Sequence, residues 1–130
     1  MYATVQELVD ALTLEEKVGQ LFIVRPDALD LSLSQETIND AKADGVTTVT
    51  NDMRRALQQY PVGGICQFGK NIESPSQLAR FNKELQDASA TPLFIAVDEE
   101  GGLIARLANS DAFTLPRYAS AAAVGASGDP

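Results

Sequence analysis

Two apolar segments separated by one amphipathic stretch constrain the fold of this chain most strongly. Residues 64–68 and residues 93–97 are continuous apolar runs, which are typical of buried strands in a parallel sheet. The stretch between them begins with Ser74-Pro75 and continues with helical periodicity. A strand, a helix and a second strand in this order predict a right-handed β-α-β crossover. The predicted fold class is therefore α/β, with a parallel sheet that is flanked by helices and covered on both faces.

The helix of this crossover has clear boundaries in the sequence. Ser74 is placed to cap the first turn, Pro75 fits the first helical position, and Gln77 can bond back to the cap residue. The apolar face consists of Leu78, Phe81, Leu85 and Ala88. Pro92 then ends the helix before the next strand begins.

The N-terminal part of the chain carries two helix starts and one strand. Thr4 with Glu7, and Thr13 with Glu16, have the form of capping boxes, which predict two short helices. The apolar run at residues 21–24 predicts a first buried strand, because Pro26 stops the run immediately after it.

The middle and the end of the chain carry weaker signals. Residues 27–50 are predicted to form an irregular excursion with a short helix near residues 35–43. Helical spacing returns at Met53, Leu57 and Tyr60, and Pro61 ends that helix. At the end, Gly128-Asp129-Pro130 has the form of a helix start, so further elements are expected after it.

Composition excludes several classes of function. Lys and Arg number 10 against 18 Asp and Glu, which gives a net charge of -8. This charge repels phosphate backbones and anionic lipid, so no nucleic-acid partner is expected. No apolar run approaches the roughly 18 residues that a membrane span needs. Residues 1–4 show no signal-peptide pattern, which leaves the compartment open.

The chemistry available to the chain is narrow because it has no histidine. This removes the commonest general acid/base and any His-ligated metal site. No loop has EF-hand spacing or a phosphate-binding glycine pattern, so neither a metal nor a cofactor is predicted. Cys66 is the single cysteine and cannot form an internal disulfide. Because it lies within the apolar run 64–68, it is predicted to be a buried small hydrophobe rather than a reactive thiol.

Asp98 is the candidate binding residue, because it is the first residue after the strand at residues 93–97. In parallel α/β folds, ligands bind beyond the carboxyl ends of the strands. Gly101-Gly102 allows a sharp turn, and Arg106 lies eight residues after Asp98, within reach of an ion pair. The same segment also fits a solvated acidic loop with an internal ion pair, and the residues alone leave both interpretations open.

Three other polar features lie near Asp98. Glu99 and Glu100 fit solvated or turn-stabilising roles better than a binding role. Lys70-Asn71 follows the preceding strand and is placed to face the same cleft, although a plain polar loop is the favoured alternative.

Four motifs in order resemble the opening of glycoside hydrolase family 3. They are Leu12-Thr-Leu-Glu-Glu-Lys-Val-Gly-Gln-Leu21, Val62-Gly-Gly-Ile-Cys-Gln-Phe-Gly-Lys-Asn-Ile72, Ile95-Ala-Val-Asp-Glu-Glu-Gly-Gly102 with Arg106, and Leu115-Pro116 through Val124-Gly-Ala-Ser-Gly-Asp-Pro130. The Asp-x-Glu-Gly-Gly pattern is similar to that of the β-N-acetylhexosaminidase branch. The β-glucosidase branch, which usually carries a Val-His-Gly type of sequence there, is the alternative within the family.

The resemblance implies a TIM-type (β/α)₈ barrel and retaining hydrolysis of a terminal β-linked N-acetylglucosamine. In such enzymes the aspartate that matches Asp98 hydrogen-bonds sugar hydroxyls, and the arginine that matches Arg106 supports that pocket. The family's late aspartate nucleophile and its histidine acid/base have no counterpart here, so no catalytic residue is predicted. Many relatives carry arginine directly after the Gly-Gly, where this chain has Leu103.

A full barrel takes about 250 residues. Residues 1–130 are therefore predicted to be the N-terminal part of a catalytic barrel, about its first three strands, and to be inactive alone. One alternative is a non-catalytic half-barrel that binds sugar weakly or self-associates through an exposed sheet edge. Another is an unrelated flavodoxin-like domain, for which the sequence offers no cofactor loop.

Overall fold

The computed structural model describes residues 4–128. A parallel sheet is formed, in this order across it, by β1 (Ile23–Val24), β2 (Gly64–Gln67) and β3 (Phe94–Val97). In the ladder, Ile23 pairs with Gly64, and Gly64 pairs with Phe94. Consecutive strands thus lie side by side and point in the same direction. The predicted α/β class with about three parallel strands is confirmed.

Helices and one hairpin make up the other regular elements of residues 4–128. The helices are α1 (Val5–Ala11), α2 (Leu14–Gly19), α3 (Gln35–Asn39), α4 (Asn51–Gln59), α5 (Pro75–Ala88) and α6 (Ala121–Ser127). The antiparallel hairpin after β3 consists of β4 (Glu99–Gly101) and β5 (Ile104–Ala105). Short 3₁₀ turns, Pro26–Leu29 and Gly69–Asn71, follow β1 and β2. Within this described part, no helix is long and apolar enough to cross a membrane.

The helix starts lie where the capping residues predicted them. Thr4 and Thr13 each form a complete capping box, and the Ser74 hydroxyl accepts from the Gln77 amide. Gln77 differs in one respect, because its side-chain oxygen accepts from the amide of Glu73 rather than from that of Ser74. The buried Gln77 side chain also donates to two backbone carbonyls, those of Thr47 and Asn71. The bonds to the two carbonyls fix the orientation of the Gln77 side chain. Its oxygen therefore accepts from the amide of Glu73, one residue before the cap residue.

The hydrophobic core lies between one face of the sheet and helices α4 and α5. Ile65 of β2 is fully buried in one cluster with Met53 and Leu57 of α4 and with Phe81 and Leu85 of α5. Each such side chain contributes about 1.5–3 kcal/mol when it is buried. The predicted β2-α5-β3 unit is therefore present, and its apolar helix face does the packing.

The opposite face of the sheet is open within residues 4–128, which differs from the expectation that both faces are covered. Side chains alternate along a strand, so Ile23, Gly64 and Phe94 form one row on the face away from Ile65. Ile23 is 58% exposed and Phe94 is 76% exposed. The error has a physical cause: α4 and α5 pack on the same side, and an apolar run alone does not tell which element covers it.

The first strand is also shorter and more exposed than predicted. Residues 21–24 were expected to form a buried strand, but β1 contains only Ile23–Val24, and Leu21 and Phe22 are exposed. The amides of Leu21 and Phe22 donate to the carbonyls of Val18 and Gly19 in the turn after α2. Because these amides are already used, neither residue donates to the ladder, although the Phe22 carbonyl accepts from the Gly63 and Gly64 amides at the start of β2.

Two further elements differ from expectation. The short helix predicted near residues 35–43 ends at Asn39, because the Asp40 carboxylate accepts from the Lys42 amide in a local turn. Helix α6 was not predicted. Ser120 caps its start, and Gly128 follows its last residue with a φ of +69°, the left-handed conformation common at helix ends. The helix start predicted at 128–130 involves Asp129 and Pro130, which lie outside the described residues.

Candidate functional site

Three side chains mark the carboxyl edge of the sheet, because each is the first residue after a strand. Arg25 follows β1, Phe68 follows β2 and Asp98 follows β3. Since Gln67 pairs with Val97 in the ladder, Phe68 and Asp98 are neighbours at this edge. This is the edge at which parallel α/β proteins bind ligands.

Asp98 and Arg106 are joined by two contacts. The guanidinium Nη2 of Arg106 lies 3.3 Å from the Oδ2 of Asp98, and the Arg106 amide donates to the Asp98 carbonyl at 3.1 Å. The side chains are 34% and 28% exposed, so solvent still reaches the pair. The contact that the eight-residue spacing predicted is present, and a half-exposed pair of this kind contributes about 1 kcal/mol or less to stability.

The β4-β5 hairpin brings Arg106 back to Asp98. Gly101 and Gly102 form its turn with φ of +86° and +61°, a region that favours glycine. Gly102 also donates to the Tyr118 carbonyl at 2.8 Å, and a Cβ on Gly102 would lie 2.6 Å from the Ala119 carbonyl oxygen. The Gly-Gly pair thus serves both the turn and the close approach of the next segment. The sequence analysis predicted the turn but not the two strands.

Glu99 has a structural role on the same hairpin. Its two carboxylate oxygens accept from the amides of Leu107 and Ala108, each at 2.9 Å. The predicted turn-stabilising role is confirmed for Glu99. Glu100 is exposed, and Leu103 at the hairpin tip is almost fully exposed.

The Phe68 ring is contacted by two arginines, Arg25 directly after β1 and Arg106 directly after β5. The guanidinium carbon of Arg25 lies 4.3 Å from the ring centroid of Phe68, and that of Arg106 lies 5.4 Å from it. Such cation-π contacts contribute about 0.5–2 kcal/mol, depending on desolvation. Arg25 and Phe68 were missed by the sequence analysis, although their positions directly after β1 and β2 could have identified them.

Cys66 also faces this site, which corrects the prediction of a buried hydrophobe. Strand alternation places it on the open face with Ala96 and Asp98, and it is only partly buried. Its Sγ lies 3.9 Å from the Oδ1 of Asp98. Burial raises the pKa of the Cys66 thiol, and the Asp98 carboxylate raises it further, while the guanidinium groups of Arg106 and Arg25 oppose both effects.

Lys70 and Asn71 do not face Asp98, so the less favoured of the two interpretations, a place in the same cleft, is wrong. The Lys70 ammonium is surrounded by the carbonyls of Thr37, Ile38 and Asp40, at 3.1–3.3 Å. Asn71 donates to the Oδ2 of Asp27 at 2.9 Å. These two residues fasten the 27–46 excursion to the end of β2. Their inward direction follows from Asp27, a fully buried carboxylate that needs partners.

Two cavities of the described structure do not include Asp98 or Arg106. One, of about 950 Å³, lies between the β4-β5 hairpin and the segment 115–127. The other, of about 600 Å³, lies between α2, β1 and the end of α4. Asp98 lies instead at the carboxyl edge of the sheet, on an open surface that it forms with Phe68 and Arg106 and that we call the ledge. No group of three potential metal ligands occurs within residues 4–128.

The ledge can recognise hydroxyl groups. The Asp98 carboxylate accepts hydrogen bonds, the Arg106 guanidinium donates them, and their contact fixes both orientations. Asp98 is the carboxylate of this ledge, and the Cys66 thiol is a second titratable group that contacts it. The arrangement is suited to binding a polar ring through these groups.

The family model and the related proteins that match this chain agree with one another. Residues 13–127 match the family model described as "Glycosyl hydrolase family 3 N terminal domain". A "Beta-hexosaminidase" of Thiobacillus denitrificans is 40% identical over 79 residues, which are 60% of this chain and 21% of that protein. A "Beta-hexosaminidase A" of Pseudoalteromonas piscicida is 33% identical over 79 residues, 57% of this chain and 13% of that protein.

A solved structure agrees with these relatives. The glycoside hydrolase family 3 β-N-acetylglucosaminidase from Paenibacillus sp. strain FPU-7 matches with a TM-score of 0.55 and 34% sequence identity. The match covers 75% of this chain and 16% of that protein. The chain thus spans about a fifth or less of the length of the proteins that it resembles.

Proposed function

The chain belongs to glycosyl hydrolase family 3, and we propose that it supplies part of the sugar-binding pocket of a retaining β-N-acetylhexosaminidase. In this proposal, residues 1–130 are the N-terminal part of the catalytic barrel. The substrate is a terminal β-linked N-acetylglucosaminide. Asp98 accepts hydrogen bonds from the sugar hydroxyls, and Arg106 supports the pocket.

The contact between Asp98 and Arg106 carries this proposal. A carboxylate at the carboxyl end of a parallel strand faces the side where ligands bind in such folds. The guanidinium at 3.3 Å holds the carboxylate in one orientation and leaves its second oxygen, Oδ1, for a ligand hydroxyl. Only a weak thiol contact at 3.9 Å lies on that second oxygen, and a sugar hydroxyl is a stronger donor than a thiol.

The names of the relatives support the sugar class. Two proteins that are 33–40% identical are named β-hexosaminidases, and the structural relative is a β-N-acetylglucosaminidase. The β-glucosidase branch of the family stays the alternative. N-acetylglucosamine and glucose as competing ligands separate the two branches, because only the first carries the acetamido group.

The chain supplies binding groups but not the reaction's proton transfer. Retaining glycosidases need a nucleophile and an acid/base about 5–5.5 Å apart on either side of the anomeric carbon. This sequence contains no histidine for the acid/base role that the family resemblance implies. We therefore expect no turnover of a chromogenic N-acetylglucosaminide by the 130-residue chain alone.

Ligand titration followed by NMR tests the binding role directly. We expect N-acetylglucosamine to shift the amide signals near Asp98, and Asp98→Asn to weaken binding about tenfold, because it removes a charged acceptor but keeps the shape. Asp87→Asn is the matched control, since Asp87 also pairs with a cation, Lys83, but lies on α5. Equal affinity of Asp98→Asn and the parent chain would refute the role of Asp98.

Self-association is a second proposal, favoured by the open sheet face. Ile23 and Phe94 expose apolar surface there, and β1 and β3 are the edge strands of the described sheet. Sedimentation velocity across a concentration series tests it. We expect the sedimentation coefficient to rise with concentration, and Phe94→Ser to reduce this rise. A compact monomer at all concentrations would contradict this proposal without affecting the sugar-binding one.

A further inference from the structure

We propose that Arg25 is a positioning residue for Asp98 and acts through Phe68 and Arg106. The inference rests on the proposed function, because it treats Asp98 as the sugar-binding carboxylate. Arg25 follows β1 rather than β3, and its guanidinium contacts the Phe68 ring rather than Asp98. The four side chains form one chain of contacts along the carboxyl edge of the sheet.

The contacts run in order across the edge. Arg25 contacts the Phe68 ring at 4.3 Å, the ring contacts Arg106 at 5.4 Å, and Arg106 bonds to Asp98 at 3.3 Å. The Nε of Arg106 is buried without a hydrogen-bond partner in residues 4–128. The Arg106 side chain is therefore held by Asp98 at one end and by the ring beside it. A ring that tilts or moves would release Arg106 from its position.

Arg25 is suited to hold the ring in place. Its Nη1 donates to the Ile38 carbonyl and to the Oδ1 of Asn39, each at 3.3 Å. Arg25 forms no ion pair with a carboxylate of the described chain, so its charge is directed to these dipoles and to the ring. If Arg25 served only to hold α3 in place, its bonds to Ile38 and Asn39 would be sufficient. The stacking on Phe68 is what connects this anchor to the site.

Cys66 provides a reporter that does not depend on sugar binding. Its thiol lies 3.9 Å from Asp98, and both arginines influence it electrostatically. The rate of its alkylation by iodoacetamide rises with pH as the thiolate forms. The midpoint of that pH profile reports the charges around the thiol and its burial, whereas the access of iodoacetamide to the thiol changes only the rate.

A double-mutant cycle with this reporter tests the inference. We expect Arg25→Gln and Phe68→Leu each to move the midpoint to higher pH. The first removes a cation, and the second lets Arg106 leave Asp98 while both cations remain. The double variant should match Arg25→Gln alone, because both changes break the same chain of contacts. An unchanged midpoint in Phe68→Leu, or fully additive shifts, would overturn the inference.

Two controls separate positioning from folding. Asn39→Ala removes one tether of Arg25 without touching the ring, and Arg55→Gln removes an exposed arginine on α4. Both are expected to keep the parent midpoint, and circular dichroism checks that every variant is folded. If Arg55→Gln reproduces the Arg25→Gln shift, the midpoint follows the net charge of the chain and the inference is wrong.

The sugar titration then separates this inference from the proposed function. We expect Arg25→Gln and Phe68→Leu each to weaken N-acetylglucosamine binding about threefold, the size of one cation-π contact. If the alkylation midpoints shift as expected but the parent chain binds no sugar, the positioning role of Arg25 is kept and the binding role of Asp98 is refuted. If sugar binding depends on Asp98 but the alkylation midpoints do not shift as expected, the proposed function is kept and the role of Arg25 is overturned.

Discussion

The ammonium of Lys70 lies 3.5 Å from the carboxylate of Asp27, with 10% of the Lys70 side chain and none of the Asp27 side chain exposed. Three backbone carbonyls complete the surroundings of the ammonium. Asp27 also accepts from the Val46 amide and from Asn71. The pair thus joins the ends of β1 and β2 and holds the irregular excursion between them against the sheet.

Loss of this cation should destabilise the fold strongly. Lys70→Met keeps the length of the side chain but leaves the Asp27 carboxylate buried without its counter-ion, which costs about 3 kcal/mol. Urea denaturation followed by circular dichroism measures the effect. Lys83→Met is the matched control, because its pair with Asp87 is exposed and contributes about 0.5 kcal/mol. Equal losses in the two variants would show that burial of the Lys70 pair is unimportant.

Local signals predicted most of the elements, and contacts between distant residues explain the errors. The caps at Thr4, Thr13 and Ser74 act within one turn of their own helix, so the sequence was sufficient for them. The burial of Asp27 depends on Asn71, 44 positions away, and no local pattern indicates that contact. The open face of the sheet was missed for the same reason, because covering elements are not encoded in the strand itself.

In the candidate site, too, local features were predicted from the sequence and contacts between distant residues were not. The spacing from Asp98 to Arg106 and the Gly-Gly turn predicted their contact, since all of it lies within one hairpin. Arg25 and Phe68 reach the site only because three strands are aligned in parallel, so their roles required the structure. The strands of the hairpin itself were missed because Glu and Gly have low β-propensity.

Substitution of Gly102 should destabilise the hairpin. In Gly102→Ala the new Cβ would meet the Ala119 carbonyl oxygen at 2.6 Å, and the φ of +61° would be strained as well. We expect a loss of about 1–3 kcal/mol in the free energy of unfolding. Gly125→Ala is the control, because its Cβ would meet nothing within 4 Å in helix α6. That change should leave stability unchanged or raise it slightly.

Glu84 should make stability depend on pH in the acid range. The Val49 amide and the Thr48 hydroxyl, which both donate to its carboxylate, hold the pKa of Glu84 below its ordinary value of 4.5. A carboxyl with a lowered folded-state pKa contributes stability above its unfolded pKa and loses it as pH falls through the folded pKa. The contribution is therefore complete at neutral pH and disappears at pH values below 4.5.

Glu84→Gln removes this contribution. We expect the variant to be less stable than the parent at neutral pH, and the difference to shrink as pH is lowered below 4.5. Urea midpoints at several pH values measure it, with Glu73→Gln, an exposed position just before α5, as the control. A difference between Glu84→Gln and the parent that stays constant down to low pH would rule out this explanation.

Asp98 should slow the chemistry of the neighbouring thiol. Its carboxylate raises the pKa of Cys66, so Asp98→Asn lowers that pKa and increases the thiolate fraction at a given pH. Alkylation of Cys66 near neutral pH should then become about three- to tenfold faster, as expected when a charge at about 4 Å is removed near the surface. Asp87→Asn on α5 should leave the rate unchanged, and an equal acceleration in both variants would mean that net charge, rather than the 3.9 Å contact, controls the thiol.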